Sequence, residues 1–115
     1  MASTFFIVHH QFKPGKAAAW WDIAMSAMSD EAGWAAAVAA NLDAGFFNHS
    51  FNPTSPDGPV FCVWEARDGI TAEQFQDFID GPTGPNMGIN AFNNNSFPVN
   101  VELTGGQTPY PPKFS

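Results

Sequence analysis

The sequence predicts an α+β domain in which a four-stranded antiparallel sheet carries its helices on one face. Two observations support this: the size and composition suit one folded domain, and patterned segments follow one another as strands and helices. The chain has 115 residues, of which 44% are hydrophobic and 15% aromatic. Such a chain can bury enough apolar surface to offset the entropy lost on folding. We expect one domain over residues 1–104 and an extended tail over residues 105–115.

The first half of the chain is predicted to form a strand and two helices. Residues 4–12, TFFIVHHQF, are rich in β-branched and aromatic side chains, which favours a strand. Apolar residues at helical spacing predict a helix over residues 16–28. Asp30 is a suitable N-cap and Gly45 a suitable end residue, so an extra helix over residues 30–44 follows the first.

The second half is predicted to form a hairpin, a helix and a last strand. Residues 45–51 and 60–67 flank a segment dense in turn formers, which is typical of a hairpin. Thr71, with a glutamine three residues later, opens a third helix through a capping box. Residues 81–96 are predicted to be a loop, and the alternation of Val, Val and Leu predicts the final strand over residues 97–103.

The order of these elements is that of the split βαβ, ferredoxin-like plan. In that plan the first and third strands, residues 4–12 and 60–67, lie at the centre of the sheet. One face of the sheet then has no helix to cover it. By alternation we expect that face to present four apolar residues, Phe5, Ile7, Cys62 and Trp64. A patch of that size predicts a homodimer joined through this face.

Charge and cysteine content exclude several classes of partner. Four Lys and Arg against eleven Asp and Glu give a net charge of −7, which excludes nucleic acid and anionic membrane surfaces as partners. No apolar stretch is long enough to span a membrane, and residues 1–10 lack the pattern of a secretory signal. Cys62 is the single cysteine, which fits a reducing compartment, so we expect a cytoplasmic protein.

Two segments resemble the dimeric α+β-barrel superfamily: FFIVHHQFKPGK, and VFCVWEARDGITAEQFQDFI. The resemblance covers roughly residues 4–103 and lies near small uncharacterised or nickel-binding members. It implies a ferredoxin-like subunit, a dimeric barrel and a ligand held between sheet and helices. Cofactor-independent monooxygenases, haem-degrading enzymes, cyclases, isomerases and stress-response proteins share the superfamily, so the resemblance does not fix a reaction. The helix over 30–44 and the loop over 81–96 depart from its usual pattern.

A histidine and a glutamate on the central strands are the candidate catalytic pair. If His10 and Glu65 share the helix-facing side of the sheet, the carboxylate can orient the imidazole and raise its basicity, giving a general base near neutral pH. The alternative is a hydrogen-bonded pair that only stabilises the core.

The same face is predicted to carry a ligand cavity. Its expected walls are Trp21, Phe78, Val8 and Val63, an apolar set that favours an apolar or aromatic molecule over a phosphate. The loop over 81–96 is expected to close over the cavity, with inward contacts from Met87, Ile89 and Phe92.

Two further histidines are candidate metal ligands. His9 and His49 would share the opposite face and could hold nickel, copper or zinc with nearby donors. A slip of one residue in the hairpin would move His49 to the other face. The alternative is that both histidines lie in a subunit interface.

The function that these observations favour is a homodimer that binds a small apolar or aromatic molecule. A cofactor-independent enzyme of the monooxygenase, cyclase or isomerase type, with His10 as acid and base, is the first alternative. A divalent-metal-binding protein and a purely structural subunit are the others. The sequence has no dinucleotide fingerprint, phosphate loop or Ser-His-Asp order, so it specifies no cofactor.

Overall fold

The computed structural model describes residues 2–114, and they form a small α+β domain with the predicted order of elements. The four strands are β1 (Thr4–Phe12), β2 (Phe46–Pro53), β3 (Val60–Ala66) and β4 (Phe92–Pro98). The three helices are α1 (Ala17–Ser29), α2 (Glu31–Ala44) and α3 (Ala72–Asp80), and a 3₁₀ helix follows β4 at Val101–Thr104. None of the helices in residues 2–114 is long and apolar enough to cross a membrane.

The sheet is antiparallel and its strand order is β2-β3-β1-β4. β1 and β3 are therefore the central strands, as the sequence predicted. The core lies between the helices and one face of this sheet, where Phe6 and Val8 of β1 pack with Trp20 of α1 and Phe75 of α3. The arrangement is compatible with a ferredoxin-like fold.

Local sequence signals set the ends of the helices. The Asp30 side chain accepts a hydrogen bond from the Gly33 backbone N–H, which caps α2. Thr71 and Gln74 form the predicted capping box at the start of α3. Gly45 ends α2 with a φ of 102°, a left-handed conformation that glycine adopts without steric cost.

The last strand lies earlier in the chain than predicted. Only the first two residues of the range 97–103 lie in a strand, because Asn100 caps a 3₁₀ helix that follows and Leu103 is 84% exposed. β4 instead uses the asparagine-rich run, since Phe92 packs into the core opposite Phe12. The irregular segment after α3 is correspondingly shorter and ends near residue 91.

The prediction that Cys62 and Trp64 lie on the face without helices is wrong. Residues paired across antiparallel strands share a face. Phe6 pairs with Trp64 and Val8 pairs with Cys62, so Trp64 and Cys62 point toward the helices rather than away from them. We call the side without helices the open face; its central residues are Phe5, Ile7, Phe61, Val63 and Glu65.

Helices α1 and α2 pack less tightly on the sheet than their composition suggests. Trp20 and Ala24 of α1 are buried, but α2 contributes no buried residue. Large apolar side chains of both helices lie at the surface: Met25 is 62% exposed and Trp34 is 40% exposed. Space therefore remains between these helices and the sheet.

A test of the α2 end compares two glycines with positive φ. A Cβ at Gly45 would lie 2.7 Å from Ile70 Cδ1, whereas a Cβ at Gly15 would meet nothing within 4 Å. Both changes to alanine strain the backbone by about 1–2 kcal/mol. We expect Gly45→Ala to lower the free energy of unfolding by more than Gly15→Ala in urea titrations, and equal losses would contradict the packing described.

Candidate functional site

A cavity of about 450 Å³ lies between the sheet and the two N-terminal helices. Such a volume is within the range of about 300–1,000 Å³ typical of small-molecule sites. Four residues of α2 line it at one-turn spacing, so one face of that helix forms a wall. The lining residues are Trp20, Ala24, Met28, Trp34, Ala37, Val38, Asn41, Phe46, Phe47, Asn48, Ser50, Phe51, Cys62, Trp64, Thr83, Gly84, Pro85 and Met87.

Aromatic rings dominate the walls of this cavity. The Trp20 indole N–H donates to the carbonyl oxygen of Pro85 at 2.7 Å, which ties α1 to the turn that follows α3. Met28, Trp34 and Phe51 are each between 37% and 40% exposed, so the apolar wall reaches the surface at these residues. The cavity is therefore open to solvent between α1, α2 and β2.

The polar groups of the cavity are few and uncharged. Asn41, Asn48, Ser50 and Thr83 supply amide and hydroxyl groups, and none of the lining residues within 2–114 carries a formal charge. The indole N–H of Trp64 is buried without a hydrogen-bond partner in the described chain. The site thus offers aromatic surface and neutral hydrogen-bonding groups.

Cys62 in this wall is not an activated nucleophile. Burial raises the pKa of its thiol to about 12, because the charged form would lose its hydration. Cys62 therefore acts as a small apolar wall residue.

The structure places the four predicted wall residues outside the cavity. Trp21 donates its indole N–H to the Pro56 carbonyl oxygen, and Trp20 lies in the wall instead. Phe78 stacks on Phe46 at 4.0 Å between ring centroids. Val8 is buried in the core, and Val63 is on the open face.

The predicted lid over residues 81–96 is confirmed for part of its length. Met87 lines the cavity together with Thr83, Gly84 and Pro85. Ile89 packs against the core at its edge, and Phe92 is buried as the first residue of β4. The buried Asn86 side chain holds this turn by accepting from the Phe92 backbone N–H and donating to the Asp80 carbonyl.

The prediction that His10 and Glu65 face each other is wrong. His10 pairs with Val60 on the helix-facing side, whereas Glu65 pairs with Phe5 on the open face. His10 Nδ1 donates to the Asn94 side-chain oxygen at 2.5 Å, and Asn94 donates in turn to Asp80. The pairing of β3 with β1 differs by one residue from the pairing that the prediction requires, so Glu65 points away from the helices.

Burial determines the protonation of His10. It lowers the pKa of the imidazole despite the hydrogen bond that the ring donates to Asn94, so the ring is neutral near pH 7. Its Nε2 is buried without a partner in the described chain, and His10 is not a lining residue of the cavity. The bond from His10 to Asn94 links β1 to β4.

Glu65 is the centre of a second polar cluster, on the open face. Its carboxylate accepts from Ser3 Oγ at 2.5 Å and from His49 Nε2 at 2.7 Å. It also accepts from the backbone N–H groups of Lys113 at 2.8 Å and Phe114 at 3.1 Å. Burial favours a higher pKa for Glu65, but these four donors together lower the pKa below the ordinary value of 4.5.

A β-bulge places His49 in this cluster. The β2–β3 register shifts between Asn48 and Ser50, which leaves His49 free to turn toward Glu65. The predicted partner His9 also lies on the open face, but on β1 and against Phe61. Two strand spacings, roughly 10 Å, separate β1 from β2, so the structure does not bring the two histidines together.

The sequence does not predict the Glu65 cluster because the residues that form it are distant along the chain. At the bulge, the Asn48 side-chain oxygen accepts from the Ser50 backbone N–H, but one asparagine within a strand-like run does not by itself predict a bulge. Lys113 and Phe114 lie in a segment whose composition predicts only an extended tail. The choice of Trp20 over Trp21 for the cavity wall depends on the rotation of α1 about its axis. The periodicity of the helix permits either.

The family of this chain is shown by a match over residues 5–107. That range matches the family described as Domain of unknown function (DUF8652). The chain belongs to this family. The match includes the four strands, apart from Thr4, and all the lining residues of the cavity. Neither the curated proteins nor the solved structures contain a match to the chain.

The Glu65 cluster makes a prediction about acid stability. Because the folded pKa of Glu65 is lowered, its stabilising contribution is present above the unfolded value near 4.5 and is lost as pH falls through the folded pKa. Glu65→Gln should cost about 2–3 kcal/mol of unfolding free energy at pH 7. Between pH 5 and the lowest pH at which the protein folds, the difference from wild type should shrink.

Glu73→Gln is the matched control, since Glu73 is an exposed glutamate in the first turn of α3. It should change the free energy of unfolding by less than about 0.5 kcal/mol at either pH. A Glu65→Gln penalty that is small at pH 7, or that does not fall with pH, would contradict the hydrogen bonding described.

Proposed function

We propose that this protein binds a neutral, mainly aromatic or apolar small molecule in the cavity between the sheet and helices α1 and α2. The observation that supports this most is the apolar lining, in which aromatic walls surround a few uncharged polar groups. Close packing normally leaves no void of this size inside a small domain. A pocket of about 450 Å³ with aromatic walls therefore has the size and the lining of a small-molecule binding site.

The lining also restricts the chemistry of the ligand. A phosphate or carboxylate entering this cavity would lose its hydration without gaining a cationic partner, which costs several kcal/mol. An amide, ketone, phenol or ether can instead hydrogen-bond to Asn41 or Asn48 while its rings pack on Trp34 and Trp64. The proposed ligand class is therefore a neutral aromatic molecule with one or two oxygen or nitrogen atoms.

Binding, rather than acid–base catalysis, is the activity proposed for this cavity. The alternative of an enzyme using His10 requires that imidazole to reach a ligand. His10 is buried against Phe92 and Asn94 outside the lining, so no observation favours that alternative.

A neutral fluorescent probe tests this proposal. N-phenyl-1-naphthylamine should bind the wild-type protein with increased fluorescence. Ala37→Phe, on the lining face of α2, should fill the cavity and weaken binding about tenfold or more, the equivalent of about 1.4 kcal/mol.

Ala36→Phe is the matched control, because Ala36 is exposed on the same helix and is not a lining residue. It should leave the affinity for the probe within about twofold of wild type, since it removes no contact with the cavity. Failure of the wild type to bind the probe would overturn the proposal, as would equal affinities for Ala37→Phe and wild type.

We also propose that the domain is a ferredoxin-like subunit that forms a homodimer through part of its open face. Ile7, Phe61 and Phe97 are between 40% and 58% exposed there. Ile7 pairs with Val63 on one side and Phe97 on the other, so the exposed side chains form a continuous row over three strands. A second copy of that row would remove it from water.

Sedimentation velocity at micromolar concentration tests the dimer. The wild type should sediment as a dimer, and Ile7→Ser should shift it toward the monomer because a polar side chain interrupts the row. Leu103→Ser is the control, since Leu103 is exposed in the 3₁₀ helix rather than in the sheet. A monomeric wild type, or equal effects of the two changes, would contradict this interface.

A further inference from the structure

The C-terminal segment, residues 107–114, lies against the open face and covers Glu65. Two of its consecutive backbone N–H groups donate to the same carboxylate, Lys113 to one oxygen and Phe114 to the other. Contacts from backbone groups of this kind fix the direction and register of an extended peptide. Glu65 is fully buried, so these bonds form away from water.

Side chains of the same segment make contacts that depend on their identity. Tyr110 stacks on His49 with ring centroids 5.0 Å apart and planes 11° apart. The Lys113 ammonium lies 4.7 Å above the ring of Phe47. The Arg67 guanidinium carbon lies 5.4 Å from the ring centroid of Phe114.

The residues that contact the segment form a groove that is specific for a peptide of defined chemistry. The groove is made by His49, Phe47, Glu65 and Arg67. It receives an aromatic residue, two prolines, a basic residue and a second aromatic residue, the sequence YPPKF. Prolines restrict the free segment to extended conformations, so it loses less entropy on binding than a flexible peptide would.

The segment joins the domain through two adjacent glycines. Gly105 and Gly106 have φ values of 68° and 90°, and a Cβ at either position would meet no atom within 4 Å. The connection is thus unobstructed and made of the residue with the widest range of backbone conformations. The Gly105 and Gly106 backbone N–H groups donate to Glu102 and Val101 of the 3₁₀ helix, so redirecting the segment at these residues breaks two backbone hydrogen bonds but none in the sheet.

We propose that this groove is a peptide-binding site that takes the C-terminal segment of a second copy of the chain in exchange for its own. The exchanged segment would make the same contacts, so the contact energy is the same in both forms. Which form is populated depends on the protein concentration. The exchanged dimer is favoured when that concentration approaches the effective concentration of the tethered segment, which is on the order of millimolar for a short flexible link.

The test uses the full chain with a weakened segment and a labelled synthetic peptide. Tyr110→Ala combined with Phe114→Ala removes two side-chain contacts but leaves the groove intact. A fluorescein-labelled peptide of residues 107–114, QTPYPPKF, is titrated with this variant and with wild type, and anisotropy is measured. The variant should bind the peptide about tenfold or more tightly than wild type, because its own segment competes less.

A control peptide with alanine in place of its tyrosine, lysine and phenylalanine should bind the variant at least about tenfold more weakly, an effect of roughly 1.4 kcal/mol. Mixing the variant with wild-type chain labelled near its C-terminus, both carrying Ile7→Ser to remove the sheet interface proposed above, should also give a complex by sedimentation as the concentration approaches the millimolar range. The proposal is overturned if the variant binds neither peptide, or both equally. It is also overturned if the peptide binds but the two Ile7→Ser chains form no complex at millimolar concentration, where exchange competes with the tethered segment.

Discussion

The arrangement of this domain depends on the two central strands being apolar on both faces. Phe6 and Val8 point one way from β1, and Phe5 and Ile7 point the other. Burying one side chain of this size is worth roughly 1.5–3 kcal/mol, so leaving either face in water would forfeit much of the stability of a small domain. Both faces must therefore be shielded from water. The helices shield one face, and the C-terminal segment shields part of the other.

The helices cover the first face incompletely. α3 packs closely, with Phe75 stacked on Phe6 at 4.0 Å between ring centroids. α1 buries only Trp20 and Ala24, and α2, half of whose residues are alanine, buries no residue. Small side chains on a wall-forming helix leave the space that larger ones would fill, so the cavity follows from the composition of α2. The tryptophans around it then face that space rather than a neighbouring helix.

The second face has a buried carboxylate at one end. An unpaired Glu65 would cost several kcal/mol in such surroundings, and the four hydrogen bonds that it accepts offset this cost. Two of them come from the C-terminal segment, which explains why a proline-rich tail is held against the sheet. The other end of this face, around Phe61 and Phe97, stays uncovered within residues 2–114. The same face thus combines a satisfied polar end with an exposed apolar one.

The sequence predicts the strands and helices of this fold better than it predicts which face of the sheet each side chain points to. Capping at Asp30 and Thr71 and the central position of β1 and β3 follow from local signals and element order. The faces of β3 do not, because Phe61 and Val63 are as apolar as Cys62 and Trp64. Periodicity alone is equally satisfied by either assignment. The same ambiguity led to the wrong pairing of His10 with Glu65, and only the register of β1 on β3 resolves it.

The claim that the cavity is the ligand site is tested most directly by the indole N–H signals of the four tryptophans in ¹H–¹⁵N NMR spectra. Trp20, Trp34 and Trp64 line the cavity, whereas Trp21 is bonded to Pro56 outside it and serves as an internal reference. On titration with a neutral aromatic ligand, the first three signals should shift together with one dissociation constant while the Trp21 signal stays within its linewidth. A shift confined to Trp21, or no shift of the other three at saturating ligand, would contradict the account.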